Sequence, residues 1–90
     1  MELSYDSAKN NSNIEKHGVS LAVARLLEWD TALAWIDSRK NYGEKRCVAL
    51  ALMKQRLYCI VYVELKIGIR VISLRKANVR EVEKYEKENN

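Results

Sequence analysis

Residues 37–47 read DSRKNYGEKRC and gather Asp37, Arg39, Lys40, Glu44, Lys45 and Arg46 around a Tyr42-Gly43 pair, just before the most apolar strand-like run of the chain. A solvated loop needs some charge, but it does not need acids and bases mixed this densely beside an aromatic ring. Carboxylates can move protons, and guanidinium groups hold oxyanions in a rigid fork, so such a cluster has the makings of chemistry on an anionic substrate. Arg70 and Arg75 flank another apolar run, and no acid lies between Leu65 and Arg80 to pair with them locally. Simpler uses exist for the same residues. Glu44 and Arg46, two apart on a strand edge, also suit a surface ion pair, and Tyr42-Gly43 also suits a turn whose ring covers the sheet end.

Charge supports the anionic partner. The net charge of +4 conceals an uneven distribution: residues 1–38 carry three bases and six acids, 39–80 carry eleven bases and two acids, and 81–90 carry two bases and four acids. A basic block of this kind attracts polyanions, and phosphate contacts supply most sequence-independent affinity for nucleic acid. Ninety residues hold one core at most, so a single domain over 1–90 is expected. No apolar run approaches the ~20 residues of a membrane span, and the N-terminus lacks a basic-then-apolar leader pattern, which points to the cytoplasm. Cys47 and Cys59 stand in strand-like runs without CxxC spacing, and His17 is the one histidine. Neither a disulfide framework nor a zinc site is expected, and the thiols read as buried.

The elements that would carry the cluster follow from periodicity. MELSYD alternates weakly as a short first strand, and Asp6 caps a helix made of mediocre helix formers, SAKNNSNIEKHG, that Gly18 stops. His17 and Lys16 fall in its last turn, a place that cations favour even without chemistry. Ser20 opens a second helix with Leu21, Val23, Ala24, Leu26 and Leu27 turned inward. From Ala32 the period becomes two, giving strands at TALAWID, RCVALALM, RLYCIVYVE and GIRVISLR with short joints at Lys54-Gln55 and near Lys66. Asn78 and Glu81 form a capping box for a last helix with Val79, Val82 and Tyr85 on one stripe. The order β-α-α-β-β-β-β-α is an α+β fold, two N-terminal helices and a C-terminal helix packed on an antiparallel sheet. With two-residue turns in both hairpins, Val48, Leu50, Cys59, Val61, Ile72 and Leu74 share one face, the floor for the helices. Ala49, Ala51, Tyr58, Ile60, Tyr62, Ser73 and Arg75 share the other, an open cleft.

Four segments in order, YDSAKNNSNIEKHGVS, DSRKNYGEKR, VYVE and IRVISLRKANVREVEKYE, resemble the BrnT family of ribonuclease toxins from bacterial type II toxin–antitoxin systems. The likeness runs from Tyr5 to about Tyr85. The family's pattern falls on Asp6 and Lys9, on Asn13, Lys16, His17 and Gly18, on Asp37, Arg39, Tyr42, Gly43, Glu44 and Arg46, and on Arg70, Ile72, Ser73 and Arg75. Leu21, Val63, Leu65 and Asn78 depart from it without deleting a candidate catalytic group, although Leu65 can remove a basic contact.

The resemblance implies a RelE-like fold and metal-independent, cofactor-free cleavage of RNA, in which a ribose 2′-oxygen attacks its own phosphate. That reaction needs a base, an acid and cations for the growing charge. Glu44 and His17 are then the acid/base candidates, with the assignment open between them, and Arg46, Arg70 and Arg75 the phosphate clamp. Lys9, Lys16, Arg39 and Lys40 would grip the backbone, and Tyr42 or Tyr62 would stack on a base. The implied partner is a BrnA-like ribbon-helix-helix antitoxin that covers the active face, touching DNA only as the complex that represses its own promoter. The acidic ends of the chain are candidate contact surfaces for it. A non-catalytic module that holds RNA or a protein on the same basic surface is the alternative.

Overall fold

The computed structural model describes residues 1–89. Five strands form one sheet: β1 (Leu3–Ser4), β2 (Leu33–Ile36), β3 (Arg46–Met53), β4 (Arg56–Glu64) and β5 (Ile69–Lys76), in the order β1-β5-β4-β3-β2. Helix α1 (Ser7–His17) follows β1, and α2 (Val79–Glu88) closes the chain. The alternating runs read from the sequence thus become the three long strands, two of them with the expected bounds.

Three expectations need correction. The sheet is mixed, because β1 runs parallel to β5 while all the other pairs are antiparallel. The second helix is two short 3-10 segments, Leu21–Leu26 and Trp29–Thr31. Tighter winding turns Leu21, Ala24 and Leu27 inward but leaves Leu26 exposed. Both sheet faces are covered, which leaves no open cleft. Ala49, Ala51, Tyr58, Ile60, Tyr62 and Leu74 pack under the 3-10 segment, whereas Val48, Leu50 and Cys59 pack with Tyr85 and Val82 of α2. Val79, expected on that stripe, is exposed.

Helix α1 forms despite its composition because its asparagines bond outward. Asp6 caps it by accepting the Ala8 N–H, and Gly18 ends it in the left-handed region, as the sequence suggests. Asn10 Oδ1 accepts the Leu21 N–H at 2.7 Å, tying the helix to the next turn. Asn13 is buried against β5, whose edge is free beyond Arg70 because β1 pairs only with Ile69 and Arg70. Its Nδ2 donates to the carbonyls of Leu74 (2.7 Å) and Val19 (2.9 Å), and its Oδ1 accepts the Leu74 N–H (3.1 Å). One amide therefore stands in for a strand. Asn13→Leu would strand two carbonyls and an N–H, each costing about 1–3 kcal/mol when buried unpaired. A loss of roughly 3 kcal/mol or more is expected in urea unfolding on that basis.

The joints fix the register without strong turn signals. Lys54 adopts φ 58° so that Met53 can pair with Arg56 across a two-residue turn. Between β4 and β5, Gly68 has φ +86°, and a Cβ there would lie 2.0 Å from the Glu2 carbonyl oxygen. That carbonyl accepts the Ile69 N–H at 2.9 Å, so only glycine permits β1 to lie against the turn.

Candidate active site

The charged cluster is an excursion between β2 and β3, closed at its base by the Asp37 N–H donating to the Arg46 carbonyl (2.8 Å). Asp37 anchors it from inside. Its side chain is 2% exposed and accepts from Arg39 Nε (2.8 Å), Arg39 Nη2 (2.9 Å), the Arg39 N–H (3.2 Å) and the Tyr42 hydroxyl (3.0 Å). The Arg39 guanidinium, with the Arg39 N–H and the Tyr42 hydroxyl, holds this carboxyl far below the usual carboxylate range. The Tyr42 ring, fixed by that hydroxyl bond, lies under the Arg46 guanidinium at 4.3 Å, with the Lys40 ammonium at 5.5 Å. Arg46 Nε in turn donates to Glu44 (3.2 Å).

Glu44 then reaches a second strand. Its Oε1 accepts from Arg70 Nη2 at 2.5 Å, so two guanidinium groups converge on one carboxylate that is 30% exposed. The Arg70 bond, with Arg46 behind it, lowers the Glu44 pKa. Register explains the convergence: Arg46 pairs with Val63 and Val63 with Arg70, so the arginines stand in one row across three strands, ~10 Å apart at the backbone.

Arg75 reaches the same face by an irregular route. It stands five positions after Arg70, and a regular strand would put the two on opposite faces. The register between β4 and β5 shifts at Val61/Tyr62, where Ser73 pairs with Val61 and Val71 with Tyr62, leaving Ile72 as the extra residue of a bulge. The expected β5 contribution is thereby exchanged: Leu74 lies on the face of Ile60, and Ser73 and Arg75 on that of Val61 and Cys59. Arg75 is not free there. It makes a bidentate pair with Glu81 of α2 (2.8 and 2.9 Å), which raises its pKa and lowers that of Glu81. Glu81 lies one residue beyond the acid-free run from Leu65 to Arg80, in the capping box that opens α2.

The other candidates divide. His17 shares a hollow with Lys9, Lys16, Ile72 and Ser73 at the α1–β5 edge, and among the described residues it makes no hydrogen bond or ion pair with Glu44. Arg39 and Lys40 are exposed on the loop. Tyr62 is a correction. It is buried in the core in a perpendicular ring contact with Trp29 (centroids 5.3 Å apart), and burial pushes its phenol up to about 12, so the ring is not exposed for a base to stack on. Cys47 and Cys59 are free and buried, and burial raises the Cys59 thiol to about 11. Among the described residues no group of His, Cys, Asp and Glu is placed to hold a metal ion, and no helix is long and apolar enough to cross a membrane.

A profile of the ribonuclease toxin BrnT of type II toxin–antitoxin systems matches residues 5–81, a span that holds the whole loop and all three arginines. The chain belongs to the BrnT family. No curated protein gives a significant match. BrnT membership makes the protein a toxin whose target class is RNA and whose counterpart is an antitoxin. Within the matched span, Asp37, Arg39, Tyr42 and Arg46 bond to one another or pack around the loop that carries Glu44.

Proposed function

We propose that this toxin is a metal-independent endoribonuclease of RelE-like fold, comprising one domain, in which Arg46 and Arg70 hold the scissile phosphate and Glu44 is the general base. The observation that carries the reading is the two-to-one excess of guanidinium groups over carboxylate at Glu44. An arriving phosphate completes that charge balance and takes the arginine N–H donors from Glu44. Released from its partners and placed beside a second anion, the carboxylate becomes a stronger base and accepts the 2′-hydroxyl proton. The 2′-oxygen attacks phosphorus, the guanidinium groups stabilise the charge on its oxygens, and the bond to the 5′-oxygen breaks. Among the described residues His17 makes no hydrogen bond with Glu44, so in this reading the leaving oxygen takes its proton from water, and His17 joins Lys9 and Lys16 in holding the backbone. Lys40 extends that grip, Arg39 holds the loop through its pair with Asp37, and Tyr42 acts by supporting Arg46.

In the cytoplasm the partner is a BrnA-like ribbon-helix-helix antitoxin that covers this face, and the complex represses its own promoter. Expression in bacteria tests the reading. Alone, the chain is expected to arrest growth and to leave RNA fragments with 2′,3′-cyclic phosphate and 5′-hydroxyl ends, insensitive to EDTA, whereas co-expression of the antitoxin restores growth. Normal growth with intact RNA at high toxin levels would retire it.

A further inference from the structure

Beside the Glu44 site lies a hollow of ≈ 160 Å³ between the sheet and α2, lined by Trp35, Arg39, Cys59, Val61, Arg75 and Glu81. We propose that it is a nucleobase pocket, which seats the base adjoining the scissile phosphate and so selects where RNA is cut. The inference rests on the reading of Glu44, Arg46 and Arg70 as the site of cleavage.

Three observations point to a base rather than a second phosphate. First is charge. Arg75 is neutralised by the bidentate Glu81 pair, and that carboxylate would repel a phosphate. A heterocycle, with donors and acceptors side by side on its edge, can meet both partners. Glu81 Oε1 accepts from Arg75 and from the Asn78 N–H, Oε2 accepts from Arg75, and the Cys59 thiol that also bonds this carboxylate is a weak donor that a base N–H can displace. Second is the wall. The exposed Arg39 guanidinium offers a flat surface of the kind on which unstacked RNA bases lie, Trp35 lines the hollow with the Lys84 ammonium over its ring at 4.0 Å, and Val61 supplies an apolar floor. The volume suits one heterocycle and is well below the several hundred Å³ of pockets that hold larger ligands.

Third is position. Val61 stands two residues from Val63 on the same face of β4, and Val63 is the middle of the Arg46–Arg70 row. The offset is about 7 Å, roughly the reach from a phosphate across its ribose to the attached base. Arg39 belongs to the same loop as Glu44, so loop and pocket are one surface. The bulge at Ile72 makes this possible by returning Arg75 to the face that Arg70 occupies.

Cleavage of short oligonucleotides with one scissile phosphate and each of the four bases on either side tests the pocket. The wild type is expected to prefer one flanking base by about tenfold or more, as a well-placed hydrogen-bonded base contact gives. Val61→Phe, which fills the hollow, and Glu81→Gln, which removes its charge, should each flatten or reorder that preference, with folding verified by circular dichroism. A folded variant of either kind with the wild-type preference, or a wild type that cuts every flanking base equally, overturns the pocket and leaves the nuclease intact. A second arm does not depend on cleavage. In NMR titrations of the Glu44→Gln chain with the four nucleoside monophosphates, shifts centred on the Trp35 indole and Val61 methyls are expected, and they should vanish in Glu44→Gln/Val61→Phe. Absence of those shifts overturns the pocket, whereas a wild type that cuts no RNA overturns only the reading on which it rests.

Discussion

Replacing Glu44 with glutamine is expected to abolish cleavage, by about 10²- to 10⁴-fold in kcat, while RNA binds as tightly as before or more tightly. Glutamine keeps the shape and loses the charge, so Arg46 and Arg70 no longer spend their donors on a carboxylate. A protein that only held RNA on this surface would gain affinity and have no activity to lose, which makes the pair of measurements decisive between catalysis and simple binding. The pH profile carries an independent signature. In the free protein Arg70 and Arg46 lower the Glu44 pKa. In the substrate complex the phosphate takes those partners and the carboxylate recovers proton affinity. The acid limb of kcat/KM, which reports the free enzyme, should therefore fall at lower pH than the acid limb of kcat.

Arg70→Ala is the second large effect. Removing one preorganised donor to a developing oxyanion costs about 2.7–4 kcal/mol, or two to three powers of ten in kcat. The same substitution takes away the first cause of the depressed Glu44 pKa, so the acid limb of kcat/KM should move up toward the ordinary glutamate range. A purely structural loss would not move that limb. Arg70→Lys is expected to recover charge but not the fork, giving partial rescue of binding and little rescue of turnover.

The sequence made much of this legible. β3 and β4 followed from alternation, the last helix from its capping box, and Gly18 as a helix stop from its position after Lys16 and His17. Glu44 was found because a carboxylate among arginines is conspicuous. What alternation could not reveal was the bulge. A single extra residue in β5 exchanges every later side chain between faces, and Ile72 looks like any other β-branched strand residue. The buried roles of Asn13 and Asp37 were hidden for a related reason. Polar side chains usually face water, and only the free edge of β5 and the interior of the loop explain why these do not. The partner of Arg75 was hidden because its acid lies on the next element rather than on its own.

The parallel pairing of β1 with β5 joins Leu3 and Ser4 to Ile69 and Arg70, segments far apart in the chain. Until Ile69 and Arg70 have been synthesised, α1 has no strand edge to bond and Glu44 lacks its second guanidinium. A chain that stops before β5 therefore lacks both the docking edge for α1 and the Arg70 partner of Glu44. The charged site is thus completed only by contacts between segments far apart in the chain, so its assembly reports closure of the whole sheet.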